Sequence, residues 1–355
     1  MLLNLLKIFV PTTLAFVLGI LITPIATHFF YKHKMWKKKI RTESISNEIF
    51  KLIHIKKEKQ EVSVPCVGGS IIVVSVLSAI LVFSLLAIFF INTGYAELFS
   101  KLSFLSRSQT IIPIAIFALG ALLGLVDDVL EINGKSNITR QSVWYTRGKI
   151  LVVLLLGLLA GAWFFFKLDM TSIHIPFGGD LELGLWFIPF VIFVMFSTFS
   201  SGVIDGIDGL SGGVLASVFV SYSVIAFTNN QMDLAAFCGV VAGALLAFLW
   251  FNIPPARFYM GEVGMMPLTI TIATLAFLTD TVLILPIIAF PLVATSFSSV
   301  VQIISKKYFK KKVFLVAPLH HHFEALGWPS YKVTMRYWVL SVVFAIVGVI
   351  LAVIS

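Results

Sequence analysis

The sequence predicts an all-α polytopic membrane protein, and three observations carry that prediction. Of its 355 residues, 59% are hydrophobic and 12% charged, half the roughly 25% charge of a soluble domain. Ten apolar stretches reach or approach the roughly 20 residues that a helix needs to cross a bilayer. Lysine and arginine are crowded into alternate loops between those stretches, as membrane topology requires. No repeat or low-complexity segment interrupts the pattern, so residues 1–355 read as one integral membrane domain.

In order, the stretches are 8–30, 67–92, 110–127, 149–166, 185–204, 210–227, 234–252, 265–279, 281–304 and 335–354. The first is long enough to span and lacks the small-residue cleavage site of a signal peptide. The eighth is short and the ninth contains Pro286 and Pro291, which predicts a kink or break in one of them. Between the fourth and fifth, T-S-I-H-I-P-F-G-G-D-L-E-L has two short alternating runs around Gly178 and Gly179. That pattern predicts a small external β-hairpin.

Of the 26 basic residues, all but Lys7, Lys101, Arg107 and Lys167 fall in or beside the odd-numbered loops. The positive-inside rule then places those loops in the cytoplasm and both termini outside. A net charge of +9 would suit nucleic acid in a soluble protein. Here K-M-W-K-K-K-I-R (34–41) is a cytoplasmic flank facing anionic membrane lipid, so no nucleic-acid partner is expected. Few charges at mid-depth argue against a transporter. Cys66 and Cys238 have no pairing or zinc spacing and are read as without function.

The unusual polar residues gather on one side. Asp127 and Asp128 close the third stretch, and Asp205 and Asp208, in V-I-D-G-I-D-G-L, fill the short fifth loop. Asn252, Tyr259 and Glu262 belong to or border the seventh loop, and A-P-L-H-H-H-F-E-A-L-G-W (317–328) lies in the ninth. All are inside loops, so distant segments are expected to converge on one cytoplasmic site. Adjacent carboxylates repel unless a cation or proton lies between them. Near a membrane that favours a divalent metal such as Mg2+, held by one or two carboxylates plus substrate phosphates. A solvated helix boundary explains the same pair without a metal.

Asp205 and Asp208 are three residues apart, so a helical turn would put both on one face. Gly206 and Gly209 permit close approach there; a tight interhelical turn is the plainer alternative. Tyr259 offers an aromatic face for a base or an interfacial anchor. Consecutive helical side chains point about 100° apart, so His320, His321 and His322 cannot all face one zinc ion. One or two imidazoles are expected to donate to phosphate oxygens or a leaving group. Glu324, four residues after His320, shares its face and is placed to orient that ring. Capping or surface decoration is the alternative.

Together these motifs resemble the phospho-N-acetylmuramoyl-pentapeptide transferase family over nearly the whole chain. A-P-L-H-H-H-F-E-A-L-G-W-P is similar to the family's hallmark segment, and sister transferases of N-acetylglucosamine phosphate generally lack it. P-C-V-G-G (65–69), L-V-D-D-V-L-E, V-I-D-G-I-D-G-L and F-N-I-P-P-A-R-F-Y-M-G-E-V-G resemble its other motifs. The ten spans and outward termini also agree with it.

The resemblance implies a Mg2+-dependent exchange at the cytoplasmic face of the bacterial inner membrane. Undecaprenyl phosphate attacks the sugar-bearing phosphorus of UDP-N-acetylmuramoyl-pentapeptide, giving the lipid-linked diphosphate sugar and UMP. It implies catalytic roles for Asp127, Asp128, Glu262 and His320, and Mg2+ ligation by Asp128, Asp205 and Glu262. It assigns substrate contacts to Asp205, Asp208, Asn252, Tyr259, His321, His322 and Glu324, and suggests a homodimer.

The pattern also breaks. Glu262 stands where the family has a metal-binding aspartate, Glu131 replaces a lysine, and Phe199 and Gly202 replace asparagines. Gln60 or Glu61 aligns with a further lysine, beside Lys59, and Arg147 or Lys149 is left to supply positive charge in the third loop. Three readings follow: a divergent working transferase, a scaffold that binds lipid phosphate or nucleotide without catalysis, and a transferase for another UDP-N-acetylhexosamine.

Overall fold

The computed structural model describes residues 2–36, 63–133 and 143–355. The basic flank beyond Trp36, the Lys59–Glu61 stretch and the Arg147 side chain lie outside the described residues. In chain order the helices are α1 (Leu2–Lys32), α2 (Gly69–Phe89), α3 (Ala96–Leu102), α4 (Ile111–Ile132) and α5 (Val143–Lys167). A hairpin of β1 (Ser172–Ile175) and β2 (Gly179–Glu182) leads to α6 (Phe187–Ser200), α7 (Leu210–Thr228), α8 (Met232–Asn252) and α9 (Glu262–Leu278). The chain ends with α10 (Leu285–Ile288), α11 (Phe290–Ile304), α12 (Leu319–Ala325) and α13 (Ser330–Ile354). Among the described residues, eight helices are long and apolar enough to cross a membrane. The protein is an all-α multi-pass membrane protein with one small sheet.

The two segments expected to be irregular are so for different reasons. α9 has 17 residues, about 26 Å at 1.5 Å per residue, against a hydrocarbon core of roughly 30 Å. It need not match the bilayer, because every residue from Val263 to Leu278 is buried in protein. The next stretch breaks at Ala289 (φ −101°, ψ 29°) into α10 and α11. Pro286 and Pro291 sit in the first turns of the two pieces, where a missing N–H breaks no helical bond.

α8 is buried on nearly every side, and α1 lies against it because small residues let the backbones close. A Cβ at Gly243 would come 2.3 Å from the Thr12 carbonyl oxygen, and one at Gly19 2.5 Å from Ala247 Cβ. The antiparallel hairpin pairs Ser172 with Glu182 and Ile175 with Gly179, and joins the C-terminus of α5 to the N-terminus of α6. The opposite ends of those helices therefore face the other side of the molecule, where the unusual polar residues lie.

Candidate active site

α4 runs antiparallel to α9 along a stripe of residues four apart: Gly120, Gly124 and Asp128. A Cβ at Gly120 would lie 2.9 Å from Pro267 Cα, and one at Gly124 2.2 Å from the Glu262 carbonyl oxygen. Backbones this close carry the last member of the stripe onto the first turn of α9. There Asp128 Oδ1 accepts the Glu262 N–H at 3.1 Å and Oδ2 the Val263 N–H at 2.9 Å. Such amides have no partner within their own helix, and a carboxylate also meets the positive end of the helix dipole. Asp128 is 1% exposed.

Asp127 points elsewhere. Lys149, on the first turns of α5, brings its Nζ to 2.5 Å from Asp127 Oδ2 and 3.1 Å from Glu262 Oε1. One ammonium thus joins acids from α4 and α9. The segment before α9 is clasped from the other side: Tyr259 N–H donates to Pro65 O, and Gly68 and Gly69 N–H donate to Tyr259 O and Met260 O, each at 2.8 Å. A side chain at Gly68 would strike the Phe258 ring at 2.3 Å, and one at Gly69 would come 2.4 Å from Gly264 Cα, so both glycines of P-C-V-G-G are needed bare for this clasp.

The fifth loop is not a helical turn. A 3-10 turn (Ser201–Ile204) leads to Asp205 at φ −75°, ψ 76°, and Gly209 takes a left-handed φ of 74° before α7. The two aspartates therefore diverge. Asp205 Oδ1 accepts the Ser211 hydroxyl at 2.7 Å, and Asp208 Oδ2 accepts the Ala256 N–H at 3.2 Å. Asn252, buried at the end of α8, accepts from Gly209 N–H at 2.9 Å and donates to Phe258 O at 2.8 Å. It ties the aspartate loop to the segment carrying Tyr259. From α13, Thr334 donates to Asp208 O at 3.2 Å and the Trp338 indole to Gly209 O at 3.0 Å.

The histidine segment forms the two-turn helix α12, and polar residues of α11 and Ser305 just beyond it seat that helix and the segment leading into it. Ser298 accepts the Leu319 N–H at 2.9 Å, Gln302 pairs with Val313 and Phe314, and Ser305 donates to Lys311 O at 2.8 Å. His320 and His321 lie with ring centroids 4.2 Å apart, and both cover the aspartate loop. A Cβ at Gly206 would come 2.5 Å from His320 Nε2 and 3.0 Å from His321 Nε2. His322 turns away, with Nδ1 accepting the Leu315 N–H at 3.2 Å. Glu324 orients His321, not His320 as the spacing suggests: its Oε2 lies 2.7 Å from His321 Nδ1. Its Oε1 accepts the Ser330 hydroxyl at 2.5 Å. Both spacings are within reach on a helix, and full burial of His320 under the loop leaves its neighbour for the acid.

The acid clusters, although not the histidine helix, lie within the segment that a known family's model matches. Residues 110–280 match the model of Glycosyl transferase family 4. The chain is 30% identical over 354 residues to a phospho-N-acetylmuramoyl-pentapeptide-transferase of Chloroflexus aurantiacus, covering 96% of this chain and 88% of that one. It is 31% identical over 343 residues to the protein of that name from a Geobacillus species, covering 95% of each. For Clostridium perfringens the figures are 31% over 344 residues, 96% of this chain and 98% of the relative. The chain belongs to the phospho-N-acetylmuramoyl-pentapeptide transferase family. It is a transferase embedded in a membrane.

A divalent cation is what the sequence resemblance implies for these acids. Asp128, Asp205 and Glu262 are not gathered as one ligand set: Asp128 serves backbone amides and Asp205 a hydroxyl. Among the described residues no three His, Cys, Asp or Glu side chains form a ready metal cage. Asp127 and Glu262 do converge, on the Lys149 ammonium, and two carboxylates fit an ion that takes one or two plus phosphates. Lys149 is legible in the sequence only as one of two basic candidates. Ser211 and Ser330, which fix Asp205 and Glu324, carry no sequence signal beyond lying near the motifs.

Proposed function

We propose that this chain transfers phospho-N-acetylmuramoyl-pentapeptide from its UDP-linked donor to undecaprenyl phosphate. An oxygen of the acceptor phosphate attacks the sugar-bearing phosphorus, the bond to the bridging oxygen breaks, and UMP leaves with that oxygen and its electron pair. The product is the first lipid-linked intermediate of peptidoglycan synthesis, formed at the cytoplasmic face of the inner membrane. The observation that carries this reading is an ammonium-bridged acid pair and a loop capped by two imidazoles, both at the same end of a membrane bundle.

Two phosphate-bearing substrates repel, so the site must supply positive charge where they meet. Lys149 supplies one such charge, held in place by Asp127 and Glu262. Asp127 and Glu262 are the residues that would hold Mg2+, which would supply Lewis-acid neutralisation of the phosphates. His321, with Nδ1 fixed by Glu324, presents Nε2 to the leaving phosphate, while His320 lines the same wall. Asp208 and Tyr259, whose neighbours Gly209 and Phe258 are joined through Asn252, would border the uridine, with the Tyr259 ring as a stacking face.

The test is transfer of labelled sugar phosphate by the purified protein, with Mg2+, with chelator, and with UDP-N-acetylglucosamine as rival donor. The expected result is metal-dependent product from the pentapeptide donor alone. Product from the rival donor alone would replace the assigned substrate, and none from either would overturn the reading.

A further inference from the structure

We propose that Asp128 is a positioning residue that fixes Glu262 by capping α9 from a neighbouring helix, and is not a metal ligand. The inference rests on the transferase reading above, and the geometry behind it is independent of that reading.

A helix usually caps itself with a Ser, Thr, Asp or Asn side chain at the residue before its first turn. α9 has Gly261 there, with no side-chain cap of its own. Gly261 adopts φ 69°, and a Cβ on it would lie 1.9 Å from the Cys66 carbonyl oxygen. The clasp with P-C-V-G-G thus forbids a local cap, and the first two amides of α9 must be met from outside. The Gly120–Gly124–Asp128 stripe does this, delivering one carboxylate oxygen to each amide. Glu262 is the first residue of α9, so the cap sets the backbone from which its side chain reaches Lys149. The two adjacent aspartates therefore have different roles. Asp127 faces the ammonium, and Asp128 holds up its partner acid.

The test compares wild type with Asp128→Asn and Glu262→Gln, using Mn2+ alone as the metal probe and reading its binding by electron paramagnetic resonance. Asparagine keeps one acceptor and turns a donor against the second amide. In Asp128→Asn, Mn2+ affinity is expected to stay within about threefold of wild type, as no ligand is lost. Its kcat, per folded molecule, is expected to fall about 100-fold with KM for the donor unchanged, as for a misplaced catalytic group. A tenfold or greater loss of Mn2+ affinity in Asp128→Asn would make it a ligand. An unchanged kcat would make it merely structural. Either overturns the proposal. Should the variant fail to fold, amide exchange of wild type decides: the Glu262 and Val263 amides are expected to stay protected when Mn2+ is added. Loss of that protection on metal binding would mean the carboxylate leaves them. An inactive wild type counts against the transferase reading, whereas the exchange experiment still judges the cap.

Discussion

Glu324 has its two oxygens on different partners, His321 at 2.7 Å and Ser330 at 2.5 Å. A ring held at Nδ1 presents Nε2 in a fixed direction and tautomer, here toward Gly206. Removing the imidazole, in His321→Ala, is expected to lower kcat by about 10²- to 10⁴-fold, the usual worth of a positioned acid or base. Glu324→Ala leaves the ring unfixed, with a loss expected within that range. Ser330→Ala is expected to cost less than about tenfold, since one of the two bonds to the acid survives. Single-turnover transfer with matched melting temperatures measures all three. The motif that carries these residues is legible in the sequence, but their pairing is not. Spacings of three and four are equivalent on a helix face, and what decides between them is the burial of His320 beneath a loop from elsewhere in the chain. In the same way, adjacency of Asp127 and Asp128 suggests one shared role, whereas residues about 100° apart on a helix meet different neighbours.

At the scale of elements, the site is assembled by close backbone approach. Gly124 lets α4 touch the Glu262 carbonyl, and Gly120 repeats the contact one turn earlier. Gly124→Leu should separate the two helices and draw Asp128 off the amides it caps. Overpacking costs about 1–3 kcal/mol or more, and a lost cap about 1 kcal/mol, so the melting temperature in detergent is expected to fall by several degrees. A variant melting like wild type would contradict the stripe. Most spans are legible from hydropathy, and so is the hairpin from its alternation around Gly178 and Gly179. The break at Ala289 is legible from two prolines, although not which side of it carries the longer piece. α9 is short because protein encloses it, a tertiary fact that no window of its own residues contains. Nor do Asp205 and Asp208 share a helical face: the left-handed Gly209 and the 3-10 turn before it send them apart.

For the whole molecule, the hairpin and the acid cluster mark opposite ends, because α5 and α6 run between them. The distribution of basic residues predicts a cytoplasmic orientation for the cluster's end, and the proposed donor, with its nucleotide and peptide, would not cross a bilayer unaided. The most direct measurement is therefore transfer in sealed vesicles carrying the protein, with the UDP-linked pentapeptide donor added only from outside. Undecaprenyl phosphate is present in the membrane, and vesicles of both orientations are compared. Lipid-linked product is expected in inside-out vesicles and absent from right-side-out ones until they are opened. Product in sealed right-side-out vesicles would contradict the orientation, and no product in either would contradict the transferase.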